Sequence, residues 1–201
     1  MERRVVSAAD RATLGDAVRR AIRDIPDFPK PGIVFKDVTP LLKDAALFAQ
    51  AVDALAAPFH AATISHVVAV ESRGFIFGAP VALALGAAFV PARKPGKLPA
   101  RRVRETYALE YGSDALEMHD DALRGASGVL VLDDVLATGG TARAACRLVE
   151  RVGSRVSACV FLLELAFLNG RATLGDRRVE SLVLYGAAAP VIVDGTAPSP
   201  P

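Results

Sequence analysis

The sequence has only two cysteines, Cys146 and Cys159, and each sits inside an apolar run. They read as small core residues of a reducing compartment, not as a disulfide framework. Long hydrophobic stretches are missing too. The segment ACVFLLELAFL (158–168) is interrupted by Glu164 and falls short of the roughly 20 apolar residues that cross a bilayer. The opening residues, MERRVVSAADR, carry arginines with no hydrophobic segment behind them, so they do not read as a secretory signal. The expected location is the cytoplasm, with no membrane partner. Neither sign of charge is in excess. Lys and Arg number 24 against 22 Asp and Glu, a net +2, which lacks the basic surplus of a dedicated nucleic-acid binder. The histidines, His60, His66 and His119, have no metal-ligand spacing, which argues against a protein-bound zinc site. There is no G-x-S-x-G elbow, no reactive-cysteine signature and no internal repeat.

What is present describes one globular domain. Its 201 residues are 52% hydrophobic and 23% charged, enough to bury a single core. Leu14, Val18, Ala21, Ile22 and Ile25 recur at helical spacing, predicting an amphipathic helix over 10–25 with Ser7 or Asp10 as its N-cap. PDFPKPG (26–32) then breaks it. A second helix is expected after Asp44, with Phe48, Val52 and Leu55 on one face. HVVAVES (66–72) is a continuously apolar, β-branched run, as in a strand buried on both faces of a parallel sheet. A helix over 73–86 and a strand over 87–93 follow. VLVLDD (129–134) repeats the design, with a helix from 140 to about 152 and strands over 155–164 and 179–185. This alternation predicts an α/β fold with a largely parallel sheet. The intervening segment, 93–123, begins with Gly, Pro and cations and then alternates around Gly112, Ser113 and Asp114. It reads as a mobile loop leading into a hairpin. The Pro-rich end, 187–201, reads as a disordered tail.

The chemistry concentrates in VLVLDDVLATGGTARAA (129–145). Ligands of open parallel sheets bind beyond the carboxyl ends of the strands. Asp133 and Asp134 stand at that end of a buried strand. Thr138, Gly139, Gly140 and Thr141 then lead into a helix, where glycines permit close approach and free N–H groups and the helix dipole attract an anion. A phosphate cannot sit comfortably on two carboxylates, so the ligand must hold its phosphate a few ångströms from neutral hydroxyls or a metal. A ribose 5-phosphate does so, with its phosphate on 138–141 and its vicinal hydroxyls on the acidic pair. A Walker loop and a dinucleotide fingerprint both fail on spacing. An acidic pair before a glycine turn is also an ordinary strand-to-helix connection, and the ordered combination weighs against that reading.

At this point the chain resembles a known family. VLVLDDVLATGGTA is similar to the donor-binding signature of the type I phosphoribosyltransferases. FPKPGIVFKDVTPLL (28–42), ESRGFIFGAPVA (71–82), RKPGKLP (93–99) and YALEYGSDALEMH (107–119) narrow the likeness to the adenine phosphoribosyltransferase family. The resemblance covers about 21–165. It implies a Mg²⁺-dependent reaction of adenine with 5-phosphoribosyl 1-pyrophosphate, giving AMP and pyrophosphate. It also implies a type I phosphoribosyltransferase-like parallel sheet flanked by helices, in one domain over 1–186. A small hood (about 1–40), a flexible lid loop (about 95–106) and a homodimer belong to the same expectation.

The resemblance assigns roles residue by residue. Asp133, Asp134, Ala137, Thr138, Gly139, Gly140 and Thr141 would hold the ribose phosphate. Ser72, Arg73, Lys94, Lys97 and Tyr111 would hold pyrophosphate, with Arg73 also catalytic and the Glu71-Ser72 peptide in the unusual cis form. Val34, Phe35 and Lys36 would meet adenine, Phe35 by stacking, with Leu136 on the other side. Lys36 stands where family members commonly have Arg, so a contact through the guanidinium would be lost. Glu110 would take or share the N9 proton of adenine. Each has a plainer alternative: solvated charges for Arg73, the lysines and the lid residues Arg101, Arg102 and Arg104, an outward strand residue for Glu110, core packing for Val34 and Phe35. No direct protein ligand to Mg²⁺ is expected, since this hard cation would be held through ligand and water oxygens. Two other functions stay open: a transferase for xanthine or another base on the same scaffold, and a non-catalytic regulator that binds the donor, which would carry an added module or a basic face.

Overall fold

The computed structural model describes residues 8–108 and 113–186. The first helix, α1 (Ala8–Ala21), packs Val18 into the core beside Ile22. It ends earlier than its periodicity suggests, and Ile25 belongs to a strand, β1 (Arg23–Ile25), instead. Ile25 precedes Pro26, which disfavours helical backbone there, and an antiparallel ladder with β2 (Phe35–Asp37) takes over its hydrogen bonding. The connecting turn has a cis Phe28-Pro29 bond. In it the Gly32 N–H donates to Asp27 Oδ1 at 2.7 Å.

A short helix, α2 (Thr39–Lys43), starts with Pro in its first turn, and α3 (Ala45–Ala56) follows. Asp44 caps α3 by accepting from the Leu47 N–H at 3.0 Å, a contact worth about 0.5–2 kcal/mol in such positions. Next come β3 (His66–Val70), α4 (Arg73–Leu85) and β4 (Ala88–Ala92), then β5 (Arg102–Ala108) and β6 (Ser113–His119). The chain continues through β7 (Val129–Leu136), α5 (Gly140–Arg151), β8 (Val156–Leu165), α6 (Gly170–Leu174) and β9 (Val179–Tyr185).

The main sheet has five strands in the order β4-β3-β7-β8-β9, all parallel. Its strands are apolar on both faces because successive residues feed two cores. Val67, Leu130, Leu132, Val160 and Leu162 pack with α1, α3 and α4. Val68, Val70, Val129, Val131, Cys159 and Phe161 pack with α5 and the β5–β6 pair. Each fully buried Val, Leu or Phe contributes roughly 1.5–3 kcal/mol relative to exposure. Cys146 and Cys159 are buried free thiols, with Sγ atoms 3.5 Å apart.

Two expectations are refined. The segment expected as a loop over 95–106 is strand from Arg102 onward, because alternation there serves a ladder that pairs Arg102 with His119 through to Ala108 with Ser113. The irregular stretch is thus limited to 94–101. In the proposed hood region, α1 contacts α3 and β9 in the main body, while β1 and β2 form a separate two-stranded sheet.

Candidate active site

All strands of the main sheet point the same way, so the carboxyl ends of β3, β4 and β7 share one edge. The sequence places its polar residues there. Glu71, Ser72 and Arg73 follow β3, Arg93 and Lys94 follow β4, and Asp133 and Asp134 lie in the second half of β7 before the 138–141 loop. The Glu71-Ser72 peptide is cis. Gly74 lets α4 approach β7: a Cβ there would stand 2.9 Å from Asp133 Oδ1.

Arg73 joins the pieces. Its Nε lies 2.8 Å from Asp134 Oδ2 as an ion pair, and its guanidinium sits 4.9 Å from the Phe35 ring centroid. Asp134 Oδ2 is buried and, despite that proximity, makes no aligned hydrogen bond. Asp134 is 4% exposed and Asp133 is partly exposed. Burial, followed by repulsion from Asp134, pushes the Asp133 carboxyl well above the usual carboxylate range. Burial also raises Asp134, with Arg73 opposing it. The pair is electrostatically unfinished and suits a ligand that brings hydroxyl donors or a cation.

The loop after β7 has the features of an anion cradle. Gly139 is the N-cap of α5 with φ +83, a left-handed conformation that glycine adopts freely. No side chain among the described residues caps this helix, which leaves its first-turn N–H groups to an acceptor from outside. Thr138 is exposed, and Ala137, Gly140 and Thr141 are half-buried.

On the β4 side, Glu71 accepts from Arg93 Nε and Nη2 at 3.1 and 3.2 Å and from the Lys94 N–H at 2.9 Å. The Arg93 hydrogen bonds hold its carboxyl below the usual range against the effect of burial. Lys94 Nζ is engaged by Asp114 and by the Tyr107 hydroxyl. Buried Glu117 accepts from the Gly96 N–H at 3.0 Å and pairs with Arg102 at 2.9 Å. Lys97 is exposed. The basic segment is therefore held by three carboxylates, Glu71, Glu117 and Asp114. Sequence reading did not select them, since their partners are distant in the chain and no spacing signals them. Arg101 pairs with Asp120 at 3.3 Å, and Arg104 is exposed.

The candidate base-binding residues divide. Phe35 is half-buried and edge-on to Phe28, 5.2 Å between centroids, and meets Arg73. Val34 is half-buried beside it. Lys36 is buried with its ammonium 2.6 Å from Asp24 Oδ1 and 4.4 Å from the Tyr185 ring centroid, so its side chain is committed elsewhere and its backbone is what a ligand could use. Leu136, expected on the other side of the base from Phe35, is 1% exposed and packs in the α5 core. Glu110 and Tyr111 lie outside the described residues. Among those described, no group of three or more His, Cys, Asp and Glu is arranged to cage a metal ion.

Comparison with known proteins agrees with this geometry. The phosphoribosyl transferase domain family matches residues 41–178. An adenine phosphoribosyltransferase from Myxococcus xanthus (strain DK1622) is 56% identical over 181 residues, spanning 90% of this chain and 98% of that one. The crystal structure of adenine phosphoribosyltransferase from Thermoanaerobacter pseudethanolicus superposes with a TM-score of 0.82 at 49% identity, covering 85% of this chain and 99% of that chain. The Saccharomyces cerevisiae enzyme, solved with an imino-altritol bisphosphate and adenine, gives a TM-score of 0.80 at 40% identity, covering 85% and 99%. With a family match over more than half its length and relatives of this identity, the chain belongs to the adenine phosphoribosyltransferases.

Proposed function

We infer that the chain performs its family's reaction, transfer of the phosphoribosyl group to adenine in purine salvage, with release of pyrophosphate. The observation that carries this reading is the joining of Asp133 and Asp134 to an uncapped helix start on one side and to Arg73 and Phe35 on the other.

In this reading the 5-phosphate accepts from the N–H groups and threonine hydroxyls of 137–141. The ribose hydroxyls donate to Asp133 and Asp134, which offsets the burial that raises both carboxyls. Adenine stacks on Phe35 beside Val34 and the backbone of Lys36. The C1′–oxygen bond to pyrophosphate breaks and the bond from C1′ to adenine N9 forms. The electron pair leaves with pyrophosphate, whose charge Arg73, Lys94 and Lys97 stabilise together with Ser72 and Tyr111. The N9 proton passes to Glu110, a role that rests on the family resemblance; such a base contributes typically ~10²–10⁴-fold. Lys94 must exchange Asp114 for the diphosphate. Residues 94–101 supply the part of the lid that can close over it and exclude water.

Mg²⁺ fits this site as a ligand-borne ion. Two carboxylates without a third acidic, His or Cys partner grouped with them among the described residues suit a hard cation that keeps water and diphosphate oxygens. When bound it would neutralise diphosphate charge.

A homodimer is part of the same proposal. Helix α4 has no charged residue after Arg73, and Ile76, Leu83 and, on edge strand β4, Phe89 are 38%, 82% and 37% exposed. Such an apolar face suits a second copy. The proposed setting is the cytoplasm, without nucleic acid or membrane as partner. No described helix is long and apolar enough to cross a membrane.

The test is AMP formation from 5-phosphoribosyl 1-pyrophosphate and Mg²⁺ with adenine, hypoxanthine, guanine or xanthine. Turnover with adenine alone is expected. Turnover with another base in its place would move the reading to that base, and donor binding without turnover would favour the regulator.

A further inference from the structure

The phosphate cradle has a back wall that belongs to a different part of the chain. A Cβ on Gly170 would fall 2.2 Å from the Ala137 carbonyl oxygen and 2.9 Å from Leu136 Cδ1. Viewed from the other side, a Cβ on Gly139 would fall 2.5 Å from the Gly170 carbonyl oxygen and 2.9 Å from Thr173 Cβ. The backbone at 137–139 and the backbone at 170 are therefore in direct contact, with a glycine on each side. A single methyl group on either has no room without moving backbone.

The wall is anchored independently of the loop. Arg171 Nε and Nη2 donate to Glu164 Oε1 and Oε2 at 2.7 and 2.8 Å, and the Ser181 hydroxyl donates to Glu164 Oε2 at 2.7 Å. Arg171 Nη1 also donates to the Val179 carbonyl at 3.2 Å. Leu174 closes the segment by burying itself in the α5 core. A bidentate Arg–carboxylate pair fixes orientation as well as distance. The five-residue α6 is thus stapled to the end of β8 and the start of β9, and its first residue presses on the cradle.

We propose that α6 positions the phosphate cradle, so that Gly170, Glu164 and Arg171 are positioning residues for binding of the phosphoribosyl group. The proposal rests on the reading that 137–141 hold the 5-phosphate. Its mechanism is geometric. N–H groups aimed at a phosphate lose affinity when displaced by a fraction of an ångström, and misplacement of about 1 Å can cost ~10²-fold. Phe35 lies on strand β2 of a separate two-stranded sheet, so stacking of the base on it is not tied to α6 in this way.

The experiment compares wild type with Gly170→Ala, Arg171→Lys, and a Thr138→Val, Thr141→Val double variant. It reads the dissociation constant of ribose 5-phosphate, KM for each substrate, kcat per folded protein, and the unfolding midpoint. Gly170→Ala is expected to weaken ribose 5-phosphate and raise the donor KM by about tenfold or more, with the adenine KM within about twofold. Arg171→Lys keeps the charge but loses the fork, so it should act in the same direction by about threefold, and it carries the test should Gly170→Ala not fold. A folded variant with unchanged ribose 5-phosphate affinity, while the threonine variant loses it, would overturn the positioning role and leave the cradle standing. A fall in kcat and midpoint with unchanged affinities would likewise reduce α6 to a structural element. Unchanged ribose 5-phosphate binding in the threonine variant would remove the cradle reading, and this inference with it.

Discussion

Two buried acidic sites on neighbouring strands have opposite electrostatics. Asp134 of β7 and Glu164 of the adjacent strand β8 are both buried, 4% and 3% exposed. Burial acts to raise the Glu164 carboxyl, but Arg171 and Ser181 overcome it and hold it below the usual range. Asp133 and Asp134 have each other and one arginine, and both are raised. A finished carboxylate fixes structure, whereas an unfinished pair stores an unfavourable interaction that a ligand with hydroxyl donors can relieve. Perturbed carboxylates gathered in a cleft are the electrostatic mark of a functional site.

Substitutions can sharpen or break that contrast. The largest expected effect is on a third carboxylate, Glu110, assigned to proton transfer. Glu110→Gln should lower kcat by about 10²–10⁴-fold with little change in donor affinity, read by steady-state kinetics; unchanged turnover removes the role. Next is the acidic pair. Asp133→Asn with Asp134→Asn should weaken donor binding by about 10²-fold, as expected for losing hydrogen bonds to charged groups, and calorimetric titration measures it. The same change should raise the unfolding midpoint at neutral pH by about 2–4 °C. The sign follows from the raised values. The folded state binds these protons more tightly than the unfolded chain, so the pair supports folding at acid pH and loses that contribution as pH rises above the ordinary carboxylate range.

Glu164→Gln should do the reverse. It is expected to cost about 1–3 kcal/mol at pH 7, read by denaturant unfolding. Because the folded Glu164 carboxyl is lowered, its contribution is present above the ordinary glutamate range and is lost as pH falls through that range into the lowered value. The difference between variant and wild type should therefore shrink in acid. A destabilising change at the pair, or a neutral one at Glu164, would break the contrast.

How much of this was legible in the sequence depends on range. The buried strands and α4 and α5 show as apolar runs and periodic faces, and the cradle shows as Thr138, Gly139, Gly140 and Thr141 after an acidic pair. Short elements do not show: α2 has five residues, and β1 and β2 have three each, too few for a period. Residues 102–106 looked like part of a loop because basic residues flank the start of their alternation. Their place in β5 depends on a partner strand that begins at Ser113. The held state of Lys94 was invisible because Asp114 lies 20 residues away. Glu164 appeared only as a break in an apolar run, since its meaning comes from Arg171 and Ser181. Leu136 is assigned to the base by likeness alone, and its close approach to Gly170, 34 residues on, has no signal in the sequence.

The most direct test of the central claim is a chemical double-mutant cycle. The dissociation constants of ribose 5-phosphate and of its 2,3-dideoxy analogue would be measured on wild type and on the Asp133→Asn, Asp134→Asn variant. If the pair holds the vicinal hydroxyls, wild type should favour ribose 5-phosphate by about 10²-fold and the variant should lose most of that preference. Equal affinity of wild type for both ligands would contradict the account.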